Sequence, residues 1–431
     1  MSSVVICGAG MAGAATAYHL AVRHRVSDVV LMDEREPLTL TSDKGTQGYR
    51  NWWPGPDDTM FRHVSRSIDL LEESALASGN AFRLSRRGYL FVTARQEEAT
   101  RLEATARGVS KFGMGEVRLH TSSRYDPGPP EGFRDRPTGA DLVVGPEVRR
   151  VWPFLADGAL AALHVRRAGW FSGVALGSWL IEQAAAHGAT VVRDRMTGVE
   201  TKGGRMTGVR CASGKTIATE KLVVAPGPGL SDVAKMLGVD LPIIHELHAK
   251  LTIRDPKRAV PRDAPFVIWN DPVTIDGKPY PAGIHVRPVD LAHGDELFLI
   301  WTLHNEPREY VWPPRFDPGE GELVLKGCWE MAPALRASIP SAASGLVDGG
   351  YYCKTPENRP LIGPLGPEGA FVVGALSGTG LMSAHASGEV VANHVMGAKL
   401  PDYAKWFLPS RYDDPAYRKK VEEWGPLVGQ L

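Results

Sequence analysis

The hexapeptide Gly8-Ala9-Gly10-Met11-Ala12-Gly13 constrains this chain more than any other feature. It follows a β-branched run over residues 3–7 (SVVIC) and opens a stretch from 11 to about 23 with helical character. A second apolar run, 29–32, ends at Asp33, so strand, helix and strand follow one another within a single short unit. In that setting the three glycines do different things. The first permits the tight turn, the second lets the backbone approach a pyrophosphate, and the third lets helix and strand pack closely. The helix N-terminus then turns its free N–H groups towards the phosphates. Asp33, twenty residues beyond the third glycine, is placed to accept hydrogen bonds from ribose hydroxyls, which favours FAD or NAD over NADP.

With 431 residues and 43% hydrophobic composition, the chain can bury two closely joined cores, and two domains are expected. Its 49 basic and 49 acidic residues cancel, so nothing steers it to nucleic acid or an anionic membrane surface. Cys7, Cys211, Cys328 and Cys353 are far apart and form no CxxC pair, which argues against a zinc site and a disulfide framework. The first twenty residues lack a basic leading segment, and no apolar run reaches the roughly 18 residues of a membrane span. Reduced thiols and a cytoplasmic location are therefore expected.

After Glu36 the chain enters a polar, glycine-bearing and then aromatic loop, TLTSDKGTQGYRNWWPGPDD, before a helix over 59–77. Proline, glycine and arginine rise between 121 and 140, which reads as a surface insertion or lid. A helix over 179–187, a strand over 190–192, a hairpin joining 206–209 to 216–218 and a buried strand at 221–225 follow. Alternating segments between 241 and 310 predict a mainly antiparallel sheet in the second domain.

The choice between FAD and NAD rests on the far end of the chain. YYCKTPENRPLIGP at 351–364 resembles the RPxTPDxxPxIG region of the D-amino-acid oxidase, glycine oxidase and sarcosine oxidase family, and SGTG at 377–380 resembles its flavin-facing GxSGHG segment. KLVVAPGP at 221–228 resembles the family's VVxAxG strand. These segments lie near the start, middle and end of the chain. The resemblance implies an α/β fold with a Rossmann-like FAD-binding domain from 1–85, 155–240 and 345–400. A substrate domain with a mainly antiparallel mixed sheet would come from 86–154 and 241–344, and a tail, 401–431, would pack across both.

The resemblance also implies the site. FAD would lie along Gly8, Gly10, Met11, Ala12 and Gly13, then Asp33, Glu34 and Arg35, then Thr41, Ser42, Thr46 and Gln47. Met196, Ala225, Gly227, Gly378, Thr379, Gly380, Leu381 and Met382 would complete its seat. Arg50 matches the position that pairs with a substrate carboxylate, and Tyr352 a tyrosine at the substrate site. The density of polar groups in His245-Glu246-Leu247-His248-Ala249-Lys250 makes His245 or His248 a candidate for the amine proton. Alternation sends Glu246, His248 and Lys250 to one face and His245, Leu247 and Ala249 to the other. The segment is not HExxH, so no metal site is expected. Trp52, Trp53, Tyr351 and Tyr352 are candidates for an aromatic wall.

Departures from the family sharpen the expectation. Gly350 stands where sarcosine oxidases carry the cysteine that bonds to flavin, the loop lacks the histidine to which dimethylglycine dehydrogenases attach theirs, and Cys353 would face away, so noncovalent FAD is expected. Gln47 replaces a frequent second arginine and Met382 a carboxylate-binding lysine. The lysine that promotes reaction with oxygen falls on an apolar residue near Ile300, with Lys250 or Lys354 as substitutes from other strands. The implied reaction is two-electron oxidation of a C–N bond in a secondary amine or amino acid, with hydride passing to flavin N5 and an imine left behind. Oxygen or another acceptor would reoxidise the flavin. A dehydrogenase for a larger biosynthetic amine or a hydroxy acid, a flavin subunit of a hetero-oligomer and an NAD-dependent enzyme stay open as alternatives.

Overall fold

The computed structural model describes residues 4–121, 124–289 and 294–424. The strand Val4–Cys7 sits near the middle of a six-stranded sheet, flanked in parallel by Val29–Asp33 and Leu222–Val224. The order runs Leu361–Pro364, Ala370–Gly374, Leu222–Val224, Val4–Cys7, Val29–Asp33, Thr190–Arg193, with the first pair antiparallel. Every residue of Val4–Cys7 is buried, as expected of a parallel strand covered on both faces. The helix Met11–Tyr18 continues through a wider π-turn to Arg23 and packs against the helix Gly380–Met396 and the helix Gly173–Ala186.

A nine-stranded mixed sheet forms the second layer, with the central order Leu346–Lys354, Ile244–Arg254, Glu296–Trp301, Ile284–Pro288, Phe266–Trp269, Tyr89–Thr93 and Ala161–Val165. Most pairs are antiparallel, whereas Phe266–Trp269 runs parallel to Tyr89–Thr93 and Val117–His120 runs parallel to Ala140–Val144. Two strands depart from the expected division: Ala161–Val165 and Leu346–Lys354, which the sequence places in the FAD-binding pieces, are hydrogen-bonded into this sheet. Both are largely buried, and burial alone does not tell which sheet a strand will join. Ile244–Arg254 is an inner strand, paired on both sides.

The segment expected as a lid is the crossover that a parallel pair requires. It is pinned to the sheet: Tyr125 Oη bonds His164 Nδ1 at 2.7 Å, and Arg87 Nε donates to Pro130 O at 2.8 Å. Residues 122–123 of it lie outside the described residues, as do Ser3 of the first strand and residues 425–431 of the tail. No helix among the described residues is long and apolar enough to cross a membrane.

The tail, expected across both domains, is held by the FAD-binding pieces. Glu357, wholly buried, accepts from Arg411 Nε and Nη2 at 2.9 and 2.7 Å, from Tyr412 Oη at 2.8 Å and from Tyr417 Oη at 3.0 Å. Removing one partner strands a buried charge, so Arg411→Ala is expected to cost roughly 3–5 kcal/mol. Urea unfolding checks this; a midpoint within error of wild type would show that the tail adds nothing.

Burial also writes a pH limit into the fold. It holds His63 and His164 down to about 3 and His285 to about 4. A histidine kept neutral in the fold but titrating normally when unfolded leaves stability intact above pH 6.5 and withdraws it as pH falls towards the folded value. At pH 5 each should cost roughly 2 kcal/mol. Urea midpoints at pH 7.5 and 5.0 should differ sharply, and His63→Gln should narrow the difference by its own share of roughly 2 kcal/mol; equal midpoints in the wild type would contradict the burial argument.

Candidate active site

A cleft runs from the glycine turn of the six-stranded sheet to one face of the nine-stranded sheet. Gly8 has φ +109°, and a Cβ there would lie 2.2 Å from Ala225 O, so the turn packs onto the next strand only because no side chain intervenes. Gly13 is as tight, with a virtual Cβ 1.9 Å from Gly8 O. Gly10 differs: its virtual Cβ meets only Ser42 Oγ, at 3.5 Å, which leaves the backbone open to the cleft. Met11 N donates to Ser42 Oγ at 3.1 Å, while Asp33 accepts from Ala9 N and Arg35 N at 2.8 and 2.9 Å. An open glycine at a helix N-terminus beside a strand-end carboxylate fits a dinucleotide.

Most of the expected cofactor residues line this cleft. They are Gly8, Gly10, Met11, Ala12, Asp33, Thr41, Ser42, Thr46, Gln47, Ala225, Gly227, Gly378, Gly380, Leu381 and Met382. The 17-residue helix Gly380–Met396 starts at the cleft and presents a second N-terminus. Five expected residues lie elsewhere. Gly13 serves the helix–strand contact, and Thr379 donates to Leu376 O within its own turn at 2.8 Å. Met196 belongs to the core with Met32 and Cys211, a place its strand position decides. Glu34 is exposed, and Arg35 stacks 5.3 Å from the Trp312 ring.

At the sheet end, the short strand Gly48–Arg50 pairs with Ala168–Trp170 and delivers Arg50, 5% exposed, into the cleft. Its guanidinium lies 5.3 Å from the centre of the Tyr89 ring, which stacks on Phe266 at 4.2 Å. Gly48 makes room for this: a Cβ there would lie 1.7 Å from the Tyr89 hydroxyl oxygen. His248 joins the same lining with its ring 4.2 Å from Tyr352.

His245 does not join them. It occupies the opposite face, bonds Pro228 O at 2.8 Å and packs on Tyr310 and Tyr351. The expected aromatic wall is also revised, because Trp52 packs on Phe91 in the core and Trp53 against the core clusters. Tyr89 and Phe266 take their place beside Tyr352.

Tyr89, Phe266, His285 and Lys44 complete a lining that the sequence does not disclose. The run containing Tyr89, YLFVT, is buried throughout and so carries no alternation to mark a cleft face. His285 enters the lining opposite Ile300, across the paired strands. Its Nδ1 bonds Gly283 O at 2.6 Å.

Ile300 lines the cleft. Neither substitute lysine is free to reach across. Lys250 Nζ sits 3.2 Å from both Asp43 O and Asp348 Oδ1, and Lys354 is paired with Glu246. Gly350 offers no atom for a covalent link; Cys353, expected to face away, is among the lining residues, but burial pushes its thiol up to about 12, far from the thiolate a link would need.

A family model described as "DAO: FAD dependent oxidoreductase" matches residues 3–394. The chain belongs to the DAO family of FAD-dependent oxidoreductases. It is 27% identical over 268 residues to the uncharacterized oxidoreductase YurR of Bacillus subtilis (strain 168), covering 59% of this chain and 64% of that one. It is 28% identical over 247 residues to sarcosine oxidase subunit beta of Rhizobium meliloti (strain 1021), covering 56% and 53%. The matches thus span less than two thirds of either relative's length. The crystal structure of L-proline dehydrogenase from P. horikoshii superimposes with a TM-score of 0.75 over 96% of this chain and 98% of that one, at 21% identity, a likeness of fold. As a DAO-family oxidoreductase the protein is an enzyme that uses FAD, and the glycine turn, Asp33 and Ser42 are the residues that would hold it.

Proposed function

We propose that this DAO-family oxidoreductase oxidises the C–N bond of a secondary amine or amino acid, with FAD held noncovalently. The observation that carries the reading is Arg50, a buried guanidinium delivered to the cleft beside Tyr89. A carboxylate is the group such a site takes most readily. Similarity to sarcosine oxidase subunit beta and to the fold of L-proline dehydrogenase agrees with a substrate that carries both amine and carboxylate.

FAD, when bound, supplies the acceptor for two electrons and the α-hydrogen. The chain's own contribution is position and electrostatics. Arg50 anchors the carboxylate, Tyr89, Phe266 and Tyr352 wall the apolar part and exclude water, and His248 receives the proton that leaves the amine. Gly350 and the protonated Cys353 support noncovalent binding.

Ile300 and Met382 in the lining favour a second reading, in which the acceptor is not oxygen and the enzyme is a dehydrogenase. One experiment addresses both. The absorption spectrum of purified protein is recorded before and after acid precipitation, and the flavin is then challenged with N-methyl and cyclic amino acids with and without air. Yellow colour released by acid, bleached by an amino acid and restored quickly by air, supports a noncovalent oxidase. Slow restoration supports the dehydrogenase, and failure of every amine to bleach the flavin removes the C–N reading.

A further inference from the structure

We propose that Glu246 and Lys354 are positioning residues that fix which nitrogen of His248 carries its hydrogen, and thereby equip His248 to take a proton from the bound amine. The amine is named on the strength of the proposed function; the tautomer is argued from geometry alone. Glu246 and His248 project from one face of the inner strand Ile244–Arg254, and Lys354 lies opposite Ile244 on the neighbouring strand. Glu246 Oε1 is ion-paired with Lys354, and Oε2 lies 3.3 Å from His248 Nε2. All three side chains are less than a tenth exposed.

A carboxylate beside a buried ammonium stays ionised, and an ionised carboxylate only accepts hydrogen bonds. His248 Nε2 must then be the donor. In a neutral imidazole the hydrogen on Nε2 leaves Nδ1 with a lone pair. Nδ1 is buried and has no partner among the described residues, although its ring lines the cleft against Tyr352. A buried acceptor left without a donor is costly, and an N–H of a ligand would satisfy it.

The charges around His248 agree with this assignment. Burial lowers its pKa against the pull of Glu246, which keeps the ring neutral and able to accept. Burial alone would raise Glu246, but hydrogen bonds from His248 and Lys354 bring it below its ordinary range. Arg50, Tyr352 and His285 also line the cleft here, and His304 acts on the ring from a distance.

In the step itself one N–H bond of the substrate ammonium breaks and one bond forms to His248 Nδ1, whose lone pair takes the proton. The amine regains its own lone pair, His248 becomes imidazolium with its Nε2 hydrogen still donated to Glu246, and no electrons change hands. Glu246 offsets the new charge until the proton leaves with product. Oxidation of the α-carbon follows from a neutral amine.

Two measurements test the assignment. The first is nitrogen NMR of the FAD-loaded enzyme labelled on histidine, with the His248 signals identified by their loss in His248→Gln. Wild type should show a bare Nδ1 and a protonated Nε2, and Glu246→Gln, which can donate as well as accept, should mix the tautomers. A protonated Nδ1 in wild type overturns the proposal.

The second is the pH dependence of flavin reduction by a secondary amino acid in wild type, Glu246→Gln and Lys354→Met. Both variants should lose on the order of a hundred-fold in rate at pH 7. The loss should fall below about three-fold above the pKa of the free amine, where no proton need be taken. An equal loss at every pH would mark a merely structural role and overturn the proposal. If no amine reduces wild type, the amine-oxidation reading falls, and the NMR result alone decides the role of Glu246.

Discussion

Gly8→Ala is expected to give a protein carrying less than about a tenth of the normal FAD per chain. The added methyl would sit 2.2 Å from Ala225 O and 2.9 Å from Pro226 Cα, on a backbone held at φ +109°. Neither the strand end nor the turn can yield without moving the surface on which the dinucleotide rests. The ratio of visible to ultraviolet absorbance after purification measures loading, and circular dichroism separates a lost cofactor from a lost fold. Gly10→Ala is the informative partner. Its methyl meets only Ser42 Oγ at ordinary contact distance, so the chain should fold normally and lose only affinity for FAD. Normal loading of the Gly8 variant would mean that the turn is not where the cofactor is gripped.

Arg50→Met should leave FAD loading intact and lower the ratio of reduction rate to substrate dissociation constant by roughly a hundred- to a thousand-fold, or about 3–4 kcal/mol. The guanidinium is buried against Tyr89, so methionine can fill the stem's space but offers no charge. Arg50→Lys should fall between, because an ammonium cannot make the two-pronged contact with a carboxylate. Stopped-flow reduction by a cyclic or N-methyl amino acid reads the effect. Wild-type kinetics in the methionine variant would take the carboxylate away from Arg50 and move the search to Lys44, which also lines the cleft.

Much of this arrangement is legible in the sequence where function and backbone geometry coincide. The glycine turn, Asp33 and the helix over 59–77 fall where spacing places them, because each depends on local rules of turn and period. The alternation of 245–250 also holds, but alternation assigns faces without saying which face meets the cleft. His248 and His245 are therefore equivalent until the strand is seated. Tyr89 and Phe266 escape for another reason: their side chains reach the site only once two strands distant in sequence lie parallel. Met196 shows the opposite error, a plausible contact point that the strand's own register turns into the core. For the strands 161–165 and 346–354, neighbours along the chain point to one sheet, whereas their hydrogen-bonding partners lie in the other.

The chain between Leu346–Lys354 and Leu361–Pro364 leaves one sheet and enters the other across only six residues. That link is braced from within, where Thr355 Oγ1 donates to Arg359 O at 2.7 Å, and from outside by the hold of Arg411 on Glu357. The two walls of the cleft therefore share a short strut that is tied at both ends. Substrate choice in such a molecule should depend on which side chains occupy the gap between those walls. Change of substrate along a lineage should therefore proceed by replacing residues in the lining and lengthening loops at its mouth, while this strut keeps its length.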